Sequence, residues 1–373
     1  MQQANTGISR YQLFCLIFMG LLSPIIELLP KRPVHLAGGG ACYSVLLAFF
    51  PLFVLLLIKT RLLKNAAPEE GLGEVVLRVF GKIPGRVLIF IITAWLIFYT
   101  AFALRISADR YVVSAYQQAT PTIFIVVLLF ISTLASLGAF RALGRTAEAF
   151  FPLLLLALVV IFALAAQDIN YNFIPPLRAT EPISLFAGSL PILNVLGLGL
   201  YLSFLEGRVE KRGSALKTSL LWLLFLLAVV FFLCLTCVGS FGATAVTRLS
   251  RPFFSMIQNI SVFSFIERPE TLVIALWVIT DFVFLATLQF IIAANLRLCF
   301  GFPRNTMETG RRRSMKNGRF LLLACALLVF VIAMALPFDS PALSLRLVPG
   351  INLCFSFLFL PLTALVGAIR KRI

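Results

Sequence analysis

The chain has 373 residues, of which 60% are hydrophobic and 13% are charged, whereas soluble domains average about 45–50% apolar and about 25% charged residues. A soluble fold of this length has no interior large enough for that apolar surface, so the composition excludes soluble, disordered, coiled-coil and disulfide-rich secreted proteins and predicts an integral membrane protein. The net charge of +17 is attributed to loops that fix the membrane topology, and no nucleic-acid partner is expected.

Ten long apolar runs follow one another along the chain, and each can hold a helix of the roughly 20 residues that cross a bilayer. They cover approximately residues 11–30, 33–58, 87–104, 111–140, 149–167, 182–205, 218–247, 271–296, 320–338 and 347–369, and are numbered here as spans 1 to 10. A cytoplasmic N-terminus would place 23 of the 32 Lys and Arg residues on the inner side, as the positive-inside rule favours. We therefore predict an all-α multi-pass protein, one transmembrane domain over residues 1–373, with both termini in the cytoplasm.

The first and sixth spans carry matching Gly/Pro interruptions. Ten spans divide into repeats of about 8–167 and 182–369, and a half with five helices makes the second half enter the membrane inverted. Many secondary transporters are built this way, with a midplane site where the first helix of each half is broken. The residues predicted to form breaks and a ligand site are Gly20, Ser23, Pro24, Val195, Leu196, Gly197 and Gly199. The open alternative is that the glycines allow close helix packing.

Span 3 presents aromatic side chains on one helix face. Trp95, Tyr99 and Phe102 recur at i, i+4 and i+7, which places them on the same side of a helix. Tyr99 and Phe102 are candidate ligand-binding residues, and Tyr99 is favoured because a hydroxyl at membrane depth requires a partner. Ordinary lipid or core packing is the alternative, especially for Trp95.

Three charged residues are candidates for coupling or gating. Arg145 and Glu148 lie three residues apart at the start of span 5, where a helix would let them pair as a cytoplasmic gate or a structural contact. Asp281 lies inside span 8, where a charged carboxylate costs roughly 2.5–3.5 kcal/mol even on the lenient insertion scale. Asp281 is therefore expected to face the bundle interior, either as a coupling or gating acid or as a protonated acid bonded to a broken-helix carbonyl.

Residues 251–266 form the longest outer connection and place Phe253, Ile257 and Ile260 at helical spacing. This pattern predicts a short amphipathic helix that lies on the outer surface or caps a vestibule. The sequence carries no P-loop, no GxSxG motif and a single histidine, so we expect no enzymatic activity, no bound metal and no cofactor.

Several stretches resemble a known family. They are ISRYQLF at 8–14, Thr120-Pro121, LGRTAEAFFP at 143–152, Asn172 and Pro175, GSLPIL at 188–193, and RPFFSMIQNISVFSFIERPETLVIALWV at 251–278. With them the chain resembles the spore germination permease family, the B subunit of nutrient germinant receptors, in the amino acid/polyamine/organocation superfamily. Two features depart from the superfamily pattern: Gly20 with Ser23-Pro24 replaces a Gly-x-Gly break, and Gly38–Gly40 replaces polar or aromatic residues at the start of span 2.

The resemblance implies a ten-helix LeuT-like fold with broken helices 1 and 6, located in the spore inner membrane or the bacterial cell membrane. It implies A-type and C-type receptor subunits as partners and a small nutrient, commonly an amino acid, as ligand. Three functions share this fold: a nutrient sensor that signals to partner subunits, a proton- or cation-coupled amino acid transporter, and a water or ion channel component. Uptake of labelled amino acid by the protein alone in liposomes would favour the transporter.

Overall fold

The computed structural model describes residues 7–67, 69–114, 118–210, 215–259, 269–301, 312–337 and 343–370. Over these residues the chain is helical, with one isolated bridge between Ile8 and Val209. The α-helices are α1 Arg10–Leu28, α2 Lys31–Ala37, α3 Ala41–Lys64, α4 Leu72–Phe80, α5 Lys82–Ser114, α6 Pro121–Leu137, α7 Phe140–Ala165, α8 Pro182–Gly197, α9 Ala215–Phe241, α10 Ala243–Arg248, α11 Pro252–Asn259, α12 Pro269–Phe300, α13 Arg312–Ala335, α14 Val348–Cys354 and α15 Leu360–Ile369.

Eight helical stretches of the described chain are long and apolar enough to cross a membrane, and two shorter apolar helices lie at spans 4 and 9. Their outward side chains suit lipid, since Phe50, Phe130 and Leu156 are each more than 60% exposed and large exposed apolar surfaces mark membrane or partner contacts. The boundaries differ at several places: α7 begins at Phe140, before the predicted start of span 5 near residue 149, and α9 ends at Phe241, before the predicted end of span 7 near residue 247. α5 continues to Ser114, so residues 105–110, predicted as a loop, and 111–114, predicted in span 4, belong to the third span.

α1 lies at the centre of the bundle. Thirteen of its nineteen residues are buried, and it packs against α7, α8, α9 and α12. Ser9 caps its start: the Ser9 hydroxyl accepts from the Gln12 amide, and the Gln12 side chain accepts from the Ser9 amide. This capping box satisfies two of the amides that a helix start leaves unpaired.

The predicted break in span 1 is corrected by the structure. α1 runs as one α-helix through Gly20–Pro24 and ends at Leu28. Proline fixes a φ that an α-helix tolerates but lacks an N–H, so Pro24 removes the hydrogen bond to the Gly20 carbonyl without ending the helix. The interruption at this point is one missing hydrogen bond.

Span 6 changes its helix type within the predicted stretch Val195–Gly199. α8 ends at Gly197, and an eleven-residue 3₁₀ segment, Leu198–Arg208, follows it directly. Runs of 3₁₀ helix longer than three or four residues are uncommon and often mark a hinge.

The 3₁₀ segment packs against a second irregular helix. Span 10 contains a π-helical turn, Phe355–Phe359, between α14 and α15. The ring of Tyr201 in the 3₁₀ segment stacks on Phe355, with centroids 4.0 Å apart. Two non-α segments therefore meet at the same level of the bundle.

The outer connection contains α11, which has both buried and exposed side chains. Phe253 and Ile257 are buried, whereas Gln258 is exposed. The rest of the predicted amphipathic segment, 260–266, lies outside the described residues.

Candidate functional site

Asp281 lies in α12, fully buried, and accepts hydrogen bonds from two other spans. Its Oδ1 accepts from Ser23 of α1 at 2.5 Å, and its Oδ2 accepts from Arg110 Nη2 of α5 at 2.5 Å and from the Tyr111 hydroxyl. The predicted interior position is found. The hydrogen bonds that the structure gives Asp281 are with three side chains, one of them a guanidinium, and not with a backbone carbonyl.

The ion pair continues toward one end of the bundle as a chain of alternating charges. Arg110 Nη1 lies 3.7 Å from Glu27 Oε2, and Glu27 Oε1 accepts from Arg251 Nε at 3.1 Å. Arg110 and Asp281 are almost completely buried, while Glu27 and Arg251 are about 15% exposed. We call Asp281, Arg110, Glu27 and Arg251 the charge chain; their formal charges sum to zero.

The charge chain has more donors than acceptors. Arg110 Nη2 bonds Asp281, Ser23 and Ser107, but Arg110 Nε and Nη1 have no hydrogen-bond partner among the described residues. The same holds for Trp277 Nε1, whose ring lies 5.0 Å from the Arg110 guanidinium carbon, and for Arg251 Nη1. Buried polar atoms without partners are rare in native proteins and call for a reason such as a ligand or water.

The predicted residues of spans 1 and 6 lie side by side. A Cβ placed on Gly199 would contact the Leu21 side chain of α1 at 3.5 Å. Val195 and Leu196 are buried. Gly197 faces another neighbour, because a Cβ there would lie 2.8 Å from Ser356 Oγ in the π-helical turn. The contact at Gly197 favours the packing interpretation for this glycine.

Span 3 contributes its aromatic face to the same region. A Cβ on Gly20 would lie 3.5 Å from the ring of Phe284 in α12, and Tyr99 meets that ring edge-on, with centroids 6.2 Å apart. Phe102 packs beside Tyr99. Trp95 is instead held by a hydrogen bond from its Nε1 to Asn352 Oδ1 at 3.1 Å, which is a structural contact with span 10.

The predicted Arg145–Glu148 pair is corrected. Arg145 is exposed, and no ion pair between the two side chains is present in the part of the chain that the structure describes. Glu148 accepts a hydrogen bond from Gln12 Nε2 at 2.7 Å, so it links α7 to the start of α1. The geometric reason is that Glu148 faces the bundle while Arg145 faces outward.

Sequence reasoning missed Arg110, Tyr111 and Trp277 as members of this cluster. Runs with at most one charge end span 3 before Arg105 and begin span 4 at Tyr111, which puts Arg110 in a loop. The available signal was that a buried Asp281 needs a cation, since intramembrane charges pair with one another.

The family model described as "Spore germination protein" matches residues 7–340. Spore germination protein A2 of Bacillus subtilis (strain 168) is 20% identical over 307 residues, which is 82% of this chain and 84% of that protein.

One solved structure has the same fold. The transporter-fold protein MhsT, solved in complex with L-phenylalanine, superposes with a TM-score of 0.62 at 14% identity, over 96% of this chain and 88% of that one. At this identity the likeness shows the LeuT-like fold alone. The family match over most of the chain shows more: the protein belongs to the spore germination protein family.

Proposed function

We propose that this protein is the membrane subunit of a spore nutrient germinant receptor. It binds a small nutrient, commonly an amino acid, in a transporter-like site and signals to A-type and C-type subunits. Its place is the spore inner membrane, with both termini in the cytoplasm and two inverted repeats at about 8–167 and 182–369. The family membership supports the germination role, and the bound L-phenylalanine of MhsT supports an amino acid as ligand.

The observation that carries this proposal is the meeting of three spans at one side chain. Gly20 of α1 and Tyr99 of α5 both lie against Phe284 of α12, and Gly199 of span 6 lies against α1 one residue away, at Leu21. Ligand pockets combine an apolar lining with a few polar groups. The charge chain supplies such polar groups next to this apolar region, because Ser23, which lies in α1 with Gly20 and Leu21, donates a hydrogen bond to Asp281.

Coupled transport of a cation is the second candidate. Asp281 is the acidic group that favours it, because a buried carboxylate attracts a cation. Arg110 already supplies that positive charge at 2.5 Å, so a proton or metal cation would have to displace a guanidinium. This contact favours sensing over cation coupling, and it leaves gating as the role of Asp281.

A ligand screen tests the proposal. The purified protein in detergent is heated with each standard amino acid, with glucose and with inosine, and a binder raises the apparent Tm by mass action. Spores that carry Tyr99→Phe, Tyr99→Ala or Gly199→Leu are then tested for germination with the nutrient found. We expect Gly199→Leu to abolish the response at normal protein abundance, and Tyr99→Ala to weaken it more than Tyr99→Phe.

Two results would contradict the proposal. One is an absence of stabilisation by every nutrient combined with unchanged germination in all three variants. The other is accumulation of labelled amino acid in liposomes by the protein alone, which would establish the transporter.

A further inference from the structure

The continuous α1 raises the question of what binds a ligand carboxylate. In a helix, each amide beyond the first turn donates to the carbonyl four residues earlier. The amides around Gly20–Pro24 are therefore occupied, since α1 has no break there. Span 6 passes from α8 directly into the 3₁₀ segment, whose amides donate to carbonyls three residues earlier, so it offers no free amides either. A side chain must supply the positive charge.

Arg110 is the buried cation closest to α1. It is 1% exposed, and no other Lys or Arg among the described residues is buried. Its Nη2 lies 3.0 Å from Ser23 Oγ of α1. Asp281 uses this same nitrogen, so Nε and Nη1 stay without hydrogen-bond partners in the part of the chain that the structure describes. A guanidinium is the side chain best suited to bind a carboxylate.

Two further donors extend the same surface. Trp277 Nε1 and Arg251 Nη1 have no hydrogen-bond partner among the described residues. Trp277 stacks over Arg110, and Arg251 pairs with Glu27. Three neighbouring residues thus carry four donors that no described residue satisfies, and a carboxylate accepts at about four lone-pair sites and donates none.

The charge balance limits the ligand further. The charge chain of Asp281, Arg110, Glu27 and Arg251 is neutral as a group, so a ligand with net charge would leave an uncompensated charge at low dielectric. Glu27 Oε2 lies 3.7 Å from Arg110 Nη1, which is too long for a hydrogen bond. A carboxylate that takes Nη1 frees Glu27 Oε2 for an ammonium group.

We infer that the charge chain, together with Trp277, is the recognition site for the zwitterionic head of a neutral amino acid: Arg110, Trp277 and Arg251 bind the carboxylate, and Glu27 binds the ammonium. The inference rests on the proposed function and assigns its ligand class and anchor residues.

The test uses charge-deleted ligands and matched variants of the full-length protein in detergent. The probes are L-alanine and L-phenylalanine, their C-terminal amides, and propionate and 3-phenylpropionate, followed by thermal shift and calorimetry. The amides lack the carboxylate charge and the acids lack the ammonium. We expect at least one amino acid to bind and both of its analogues to bind at least tenfold more weakly, because hydrogen bonds to charged groups are the strong ones.

Trp277→Phe removes one unpartnered donor and keeps the ring over Arg110. Its matched control is Trp222→Phe, since Trp222 Nε1 also has no partner among the described residues but its ring stacks on Phe14, near the other end of α1. We expect about tenfold weaker binding in Trp277→Phe and wild-type affinity in Trp222→Phe.

The Arg110→Gln/Asp281→Asn double variant removes the anchor without leaving a lone buried charge, so loss of binding in a folded protein is expected. Unchanged affinity in the double variant and in Trp277→Phe would overturn the inference and leave the proposed function intact. Amides that bind as tightly as the amino acids would also overturn the inference and leave the proposed function intact. Stabilisation by glucose or inosine alone would have the same consequence. Stabilisation by no amino acid would overturn the inference, and stabilisation by no nutrient together with unchanged germination in the Tyr99 and Gly199 variants would overturn both.

Discussion

Ser23 and Asp281 are 258 residues apart in sequence, and the Ser23 hydroxyl donates to Asp281 Oδ1 at 2.5 Å. The bond joins α1 to α12 one residue before Pro24, where α1 lacks a backbone hydrogen bond. The most weakly bonded point of the central helix is therefore attached to the only fully buried carboxylate among the described residues.

The Arg110–Asp281 pair is expected to stabilise the fold as a unit. Arg110→Gln leaves the buried Asp281 without a cation, and Asp281→Asn leaves Arg110 with only the longer contact to Glu27 at 3.7 Å, so each should lower the free energy of unfolding, by about 3–5 kcal/mol for a fully broken buried pair. The double variant should lose clearly less than the sum. Thermal and denaturant unfolding in detergent measures this. Arg78→Gln, in a partly exposed pair with Glu70, should cost no more than about 1 kcal/mol. Additive losses in the double variant would argue against a coupled pair.

The surroundings of Gly188 are too closely packed to accept an added methyl group. A Cβ there would lie 2.7 Å from the Ala37 Cβ and 2.6 Å from Ser44 Oγ, and the Ala37 atom is fixed to the backbone of α2. We expect Gly188→Ala to cost about 1–3 kcal/mol through overpacking. Gly199→Ala meets only ordinary contacts with α1 and should match or exceed wild-type stability. Equal melting temperatures in both variants would contradict the close approach of α8 to α2 and α3.

The two residues predicted to pair at the start of α7 should behave differently. Glu148→Ala removes the acceptor of Gln12 Nε2 and should cost about 1–2 kcal/mol. Arg145→Ala changes an exposed side chain and should stay within about 0.5 kcal/mol of wild type. Parallel denaturant titrations measure both. A larger loss of stability in Arg145→Ala than in Glu148→Ala would instead support the predicted Arg145–Glu148 pair.

Asn352 should be a structural hub between spans 3, 6 and 10. Its Oδ1 accepts from Trp95 Nε1 at 3.1 Å and from the Tyr201 hydroxyl at 3.4 Å. Asn352→Ala leaves a half-buried donor, Trp95 Nε1, and a buried donor, the Tyr201 hydroxyl, without this acceptor and should cost about 1–3 kcal/mol. A double-mutant cycle with Trp95→Phe should show coupling of at least about 0.5 kcal/mol. Independent effects would mean that the contact contributes nothing to stability.

Much of the fold followed from the sequence because its causes are local. Hydrophobic runs of helical length marked the spans, and Gly197 with Gly199 marked the change of helix type in span 6. The site followed only in part. Asp281 was found because a carboxylate inside an apolar run is rare. Arg110 was missed because its burial depends on Asp281, 171 residues away, and no local pattern carries that information. The continuity of α1 at Pro24 was missed for a similar reason, since neighbouring helices hold a proline-containing helix together.

The 3₁₀ segment Leu198–Arg208 is longer than an α-helix with the same number of residues. A 3₁₀ helix rises about 2.0 Å per residue and an α-helix 1.5 Å, so these eleven residues extend about 5 Å farther than they would as α-helix. Rewinding this segment would shorten span 6 by about one α turn. That shortening would move Glu206 away from Lys59, which is 3.0 Å away, and Val209 away from Ile8. A change of helix type within the membrane would therefore displace the segment that contains Ile8, just before α1.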